Sequence, residues 1–394
     1  MGKYNNDNIS NLIKEICKAI VINGGYCNNN GLYNGKSGAI IFLFQMELHS
    51  GNEIFSDIAN ELVLEVAANL NGPGPTNRFS DGYTGIGWVF QYLKQNEFIE
   101  IPDEEDPFSL IYHSIVKTFP ASYLDVESIG SLLFLCEKTL ESKSSFDENN
   151  LQDLLVEEKF IEHVELIHSS PLILKEVTQP DFLDSLLRDS ALENLLGKIE
   201  RLSLSLLTID QASKFNVFQS VIPDLKVQLG KAVIAYIGHF QAMISRKHDF
   251  VSEHFFEVSN MLCKLYYCYL KYVDSRCSSL IASVESILKE MENNCVAMYN
   301  SEIFETSIEP EINSLMLILN IKSQFKRDNL QDIIDSKIKR LTMFLNSQKI
   351  LLDSFVDRNG NLNIGLKGLA GLGLSLLGKD KDEVAPWTSS LFVL

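Results

Sequence analysis

Thiols, imidazoles and glycine-rich turns are the groups of this 394-residue chain whose type and spacing could carry chemistry. The seven cysteines stand at 17, 27, 136, 263, 268, 277 and 295 and never as Cys-x-x-Cys, the spacing that clamps zinc between two thiolates. Cys263 and Cys268 are five apart, about 140° around a helix, and so do not share a face. In EHVELIH, His163 and His168 are also five apart, with Glu162 and Glu165 beside them. A metalloprotease pair needs the interval i, i+4, so this stretch reads as a solvated helix end. An odd number of scattered cysteines reads as reduced thiols of a cytoplasmic protein.

The glycine stretches resemble phosphate loops only superficially. GLKGLAGLGLSLLG (365–378) follows no predicted strand and has no basic residue placed for phosphate. NGKSG (34–38) lacks the upstream glycine of a phosphate-binding loop. Both read better as helix-packing elements.

Internal repetition gives these glycines another meaning. GLYNGKSGAIIFLFQM (31–46), FSDGYTGIGWVFQYL (79–93), SYLDVESIGSLLFL (122–135) and NIGLKGLAGLGLSLL (363–377) share one plan: a turn, Gly-x-x-Gly, then an apolar helix. Gly35 and Gly38 match Gly82 and Gly85, and Gly368, Gly371 and Gly373 match Gly82, Gly85 and Gly87. The third copy keeps Gly130 but has Val126 and Glu127 where small residues are expected. The first glycine is expected to enter the helix with φ > 0, and the second to let another backbone approach. The helices that follow (40–44, 86–92 and 369–377) are apolar nearly all round, which predicts burial on every side.

Helices with a polar face are expected between these copies: 8–21, 57–69, 183–207, 226–245, 254–273, 280–298, 311–322 and 329–352. Within them, LYYCYLKY (265–272) spreads its aromatics around the helix, which favours core packing over a docking stripe. Strand signals are weak. NGPGPTNR (71–78), EIPDEEDP (100–107), ESKSSFDENN (141–150) and SSPLILKEVTQPD (169–181) are connections, none with the length and composition of an interdomain linker. The expectation is one all-α domain spanning 1–394.

Composition narrows the partners. Lys and Arg total 34 against 52 Asp and Glu, a formal net charge of −18, the wrong sign for a phosphate backbone or an anionic bilayer. With 45% hydrophobic and 22% charged residues the chain is too apolar for intrinsic disorder. No run approaches the length of a membrane-spanning helix, and MGKYNNDNIS has no apolar signal core.

The repeats at both ends, GLYNGKSGAIIFLF, FSDGYTGIGWVFQYL with the following QNEFIEIPDEED, and GLKGLAGLGLSLLG, resemble those of the lanthionine synthetase C-like (LanC-like) cyclases. The resemblance covers the N-terminal 135 residues and about the last 35, and is poor across roughly 150–355. It implies an α/α toroid, a ring of seven inner helices inside seven outer ones, and a part in maturing ribosomally made peptides. In that family a zinc ion activates a peptide cysteine, which adds to a dehydrated serine or threonine to close a thioether ring.

The family takes its zinc ligands from Trp-Cys-x-Gly and Cys-His-Gly turns, and neither motif occurs here. Trp88 and Trp387 are followed by Val89 and Thr388, and no histidine follows a cysteine. Where the family's fourth repeat has Ala-His-Gly, the best local match, 225–240, places Leu229. The sixth repeat falls at 309–319 without Cys, His or Gly, and the acid–base Asp of the third repeat is matched by Ser122, with Asp125 three residues on. Without metal, a thiol of pKa about 8.5 is only a few per cent thiolate at pH 7. The resemblance therefore implies a degenerate, zinc-free member, with no metal site and no cofactor, that binds a ribosomally synthesised precursor peptide or a companion maturation enzyme. Asp81, Tyr83, Asp125 and Glu127 lie in turns that a toroid would gather at one rim. They are the candidate peptide contacts, and equally candidate caps of the helices. Two other readings stay open: a thioether-forming cyclase with altered catalytic residues, and an α/α-toroid carbohydrate-active enzyme, which needs two opposed carboxylates.

Overall fold

The computed structural model describes residues 6–70, 76–100, 127, 130–131, 134–135, 191–212, 222–246, 254–273, 278–296, 308–347, 355–356 and 362–379. Helix dominates these residues. Among them the one β-type pairing is an isolated bridge between Val356 and Leu362, and no helix is long and apolar enough to cross a membrane. The chain divides into two compact units, one of Met1–Pro120, Val126–Val156 and Ile338–Leu394, the other of Ala121–Asp125 and Glu157–Lys337.

In the first unit, α1 (Asn6–Gly24) is amphipathic, with Ile9, Ile13, Ile16 and Ile20 buried. The helix after the first glycine turn, α2 (Lys36–Ser50), is buried without a break from Lys36 to Met46. α3 (Ile54–Asn69) again has two faces, burying Ala59, Leu62, Val63 and Val66. The helix after the second turn, α4 (Tyr83–Gln95), is buried from Thr84 to Leu93. Such helices gain about 1.5–3 kcal/mol for each large apolar side chain removed from water, and their all-round apolar sequences leave no face for solvent.

The second unit repeats the alternation. α5 (Ala191–Ala212) is buried at every position from Leu202 to Ile209, although Ser203, Ser205 and Thr208 interrupt its apolar run. Ser203 and Thr208 donate their hydroxyls to carbonyls four residues back, which removes the cost of burying them. α6 (Ile222–Arg246) is two-faced: Leu229 is buried, while Val227 and Ile234 are exposed. α7 (Phe255–Cys268), prolonged by a π-helical turn at Tyr269–Val273, is buried almost all round, including every residue from Leu265 to Leu270. LYYCYLKY is core. α8 (Ser278–Val296) is amphipathic. α9 (Glu309–Phe325), opened by Pro310 and two acidic residues that suit a helix start, is buried from Glu311 to Ile318. α10 (Gln331–Ser347) follows a short 3₁₀ turn, is amphipathic, and passes from the second unit into the first at Ile338. α5, α7 and α9, expected to show a polar face, are instead enclosed over these stretches; Ser259 on α7 and Glu311 and Ser314 on α9 bond the Lys337 ammonium inside the protein.

The last described helix, α11 (Leu369–Gly378), belongs to the first unit and is buried from Leu369 to Leu377. It packs on α1 and α2, and α2 in turn packs on α3 and α4. Closeness is set by glycine. A methyl group on Gly38 would lie 2.5 Å from the Leu32 carbonyl and 2.6 Å from the Leu366 nitrogen, and one on Gly373 would strike the Phe42 ring.

The first glycine of each turn differs from expectation. Gly35, Gly82 and Gly368 have φ of −129°, −118° and −132°, open to any residue. Space excludes a side chain there: a Cβ would sit 2.0–2.2 Å from the carbonyls of Asn29, Thr76 and Asn363. Those carbonyls fold back to accept the first helical N–H, from Lys36, Tyr83 and Leu369 respectively.

Candidate functional site

The turns ahead of α2, α4 and α11 lie side by side in the first unit and are joined by main-chain hydrogen bonds running in one sense. The Leu366 and Lys367 amides donate to the carbonyls of Leu32 and Tyr33, and the Leu32 and Tyr33 amides donate to the Ser80 carbonyl. The Ser80 amide continues the series to the Glu127 carboxylate at 2.9 Å. The order of neighbours is therefore the C-terminal turn, the first, the second and the residue that opens the third.

Polar side chains decorate this strip. Asn29 and Asn363 make the same Asx turn, each Oδ1 accepting the amide of the glycine two residues on, Gly31 at 2.7 Å and Gly365 at 3.1 Å. The Asn363 amide donates to Asn34 Oδ1 at 2.9 Å, and Asn34 donates to Asp81 at 3.2 Å. Asn29 reaches the same Asp81 oxygen at 3.4 Å. Asn34 and Asp81 occupy the same place in consecutive repeats, as do Gln45 and Tyr92, which bond at 3.0 Å.

Three of the four residues expected at a peptide-binding rim can be placed, and Asp125 lies outside the described residues. Asp81 is half-buried and receives amide donors from two other segments. Glu127 accepts from the Ser80 amide and hydroxyl and from Arg78 at 3.1 Å. The two carboxylates therefore flank Ser80. Tyr83 is not part of this group: its hydroxyl donates to the Leu70 carbonyl at 3.0 Å. Asn29, Asn34 and Asn363 are additions that sequence reasoning missed. The signal for two of them was present, as Asn-x-Gly at 29–31 and again at 363–365.

The polar atoms of NGKSG are committed to the fold. Lys36, with its side chain 6% exposed, pairs with Glu65, and the Ser37 hydroxyl donates to the Asn30 carbonyl at 2.6 Å. The equivalent Thr84 hydroxyl donates to the Asn77 carbonyl and meets Ser131 at 3.0 Å.

A second group of ionisable residues lies wholly inside the second unit. The Lys337 ammonium, fully buried, is 2.9 Å from Ser259 on α7, 3.1 Å from Glu292 on α8, and 3.1 and 2.9 Å from Glu311 and Ser314 on α9. Four oxygens thus compete for three N–H donors, and one cation ties α10 to three other helices. Beside it, burial pushes the Cys263 thiol up to about 12, an effect the nearby ammonium only partly offsets. Burial likewise raises Cys268 to about 11. Neutral, enclosed thiols are poor nucleophiles. Burial, and then the adjoining Glu285 carboxylate, hold the Tyr266 hydroxyl well above its usual range.

Cys17, Cys27, Cys263 and Cys268 are unbridged. Among the described residues, no three His, Cys, Asp or Glu side chains converge in an arrangement that would hold a metal ion. His163, His168 and Cys277 lie outside the described residues. No protein-family model and no curated protein sequence matches this chain.

Proposed function

We propose that this chain is a zinc-free relative of the LanC-like α/α toroids that binds a ribosomally made precursor peptide, or the enzyme that modifies it, through the turns ahead of its buried helices. The observation that carries the reading is the neighbour order of those turns. A ring of repeats needs its last member beside its first, and α11, the last described helix, packs against α2 while its turn donates to the first turn. The alternation of enclosed and two-faced helices in each unit is the pattern a double ring would produce. The absence of Trp-Cys-x-Gly and Cys-His-Gly from the sequence is the reason for reading it as zinc-free.

In this reading Asp81, Glu127 and the asparagines around them present carboxylate and carboxamide groups suited to a peptide main chain. The test combines metal analysis with a binding and product assay. Protein purified without chelator is expected to carry no stoichiometric zinc. It is also expected to bind a cysteine-containing model peptide bearing dehydroalanine without closing a thioether, as judged by alkylation and mass spectrometry. One tightly held zinc per chain, or ring closure at a rate above the protein-free control, overturns the reading.

A further inference from the structure

An apolar trough of about 490 Å³ lies in the first unit between α3 and the end of α4. It is remote along α4 from the glycine turn: Phe90, in its floor, is seven residues past Tyr83, about 10 Å at 1.5 Å per residue. One wall is the helical stripe Asn60, Val63, Leu64 and Ala67, with spacing i, i+3, i+4 and i+7. Leu64 is 70% exposed, so its side chain is open to a partner at the edge of the trough. The other wall is made by Phe98 and Ile99, which follow α4.

Local geometry fixes that second wall. The Phe98 amide donates to Leu93 and the Glu97 amide to Lys94, closing α4 with a Schellman turn. Phe98 then stacks on Phe44 at 4.8 Å. The turn needs a left-handed residue, and Glu97 fills it with φ of +58°. Glycine would adopt that conformation without the cost a Cβ imposes. An acidic residue thus stands one position before the Phe98–Ile99 wall, where glycine fits the backbone better.

Glu100 lines the trough, and exposed acidic residues stand next to both walls. Glu97 and Glu100 border the Phe98–Ile99 wall, and Asp57 and Glu61 are exposed on the flank of the α3 stripe, against Lys94 as the basic residue of this part of α4. An apolar lining of Val63, Leu64, Phe90 and Phe98 with carboxylates beside both walls is complementary to one class of partner. We infer that this trough docks a short basic amphipathic helix, whose apolar face enters at i, i+3, i+4 spacing while its Lys or Arg flanks meet the carboxylates. The helical wall favours a helix over an extended strand, since ridges at i and i+4 seat another helix. The inference stands apart from the rim reading above and does not depend on the ring.

The experiment uses the full chain and two fluorescein-labelled peptides. Both carry leucines at i, i+3, i+4 and i+7; one has lysines on its flanks and its twin has glutamates. By anisotropy at low salt, the lysine peptide is expected to bind saturably and at least about tenfold more tightly than the twin, the gap closing at about 0.5 M salt. Leu64→Ser, at an exposed position, is expected to weaken it about tenfold with circular dichroism unchanged. Glu61→Gln with Glu100→Gln should narrow the preference for lysine. Equal binding of the two peptides, or full binding by Leu64→Ser, overturns the inference. So does concentration-dependent self-association that Leu64→Ser abolishes, which would make a second copy of the chain the occupant.

Discussion

At the scale of single residues, the polar groups with the most evident chemical potential are engaged in holding the protein together. Asp81 and Glu127 are tied to neighbouring turns, and Lys36 to Glu65. Cys263 shows what such enclosure does to reactivity. Its pKa rises from 9.0 to about 12 because the thiolate would be buried. Between those values the unfolded chain gives up a proton that the folded chain keeps, so the folded state binds more protons and stability falls as pH rises. This contribution is intact below pH 9 and is lost at up to about 1.4 kcal/mol per pH unit above it. Urea denaturation at pH 8, 9 and 10 should show that decline in the wild type and a shallower one in Cys263→Ala. A thiol reagent at pH 8 should label Cys263 only after denaturation.

At the scale of elements, glycine and buried charge set how closely helices approach. A methyl at Gly38 has no space between the Leu32 carbonyl and the Leu366 nitrogen, both main-chain atoms that cannot swing away. Gly38→Ala should therefore destabilise by several times the effect of an ordinary surface change, about 3 kcal/mol, through overpacking. Gly238 lies exposed in α6, and a methyl group there would meet nothing within 4 Å. Gly238→Ala should stabilise by about 0.5–1 kcal/mol, because alanine loses less freedom in a helix. Chemical denaturation of the two variants checks opposite signs at two helical glycines. Lys337 is the electrostatic counterpart. Removing the cation alone, as Lys337→Met, leaves Glu292 and Glu311 buried against each other and should cost about 3–5 kcal/mol. Adding Glu292→Gln and Glu311→Gln should recover much of that loss, and the non-additivity measures the coupling.

At the scale of the whole molecule, the formal charge of −18 acts on stability before it acts on partners. Mutual repulsion among carboxylates opposes compaction, and salt screens it within about 8–10 Å at physiological strength. The thermal midpoint is expected to rise between about 20 and 300 mM NaCl. The same salt should weaken a basic peptide held at the α3–α4 trough. A fall in midpoint over that range would show that attractive ion pairs, such as Lys36–Glu65, outweigh the repulsion.

The sequence by itself determined the helical class and the positions of the enclosed helices that follow glycine, since burial on every side is written in consecutive apolar residues such as Ile40–Phe44 and Leu369–Leu374. Hydrophobic pattern is local, so it can be read locally. Tertiary structure alone decided the rest. Gly35 looked like a conformational necessity and proved a spatial one, because the Asn29 carbonyl that crowds it arrives through the folded turn. Glu311, Ser314 and Lys337 looked like parts of polar faces and proved to be core, because their compensating partners come from four separate helices. Asn363 gained a role only when residues 329 positions apart met across two turns. Charge compensation and backbone approach depend on distances through space, and spacing along the chain does not contain them.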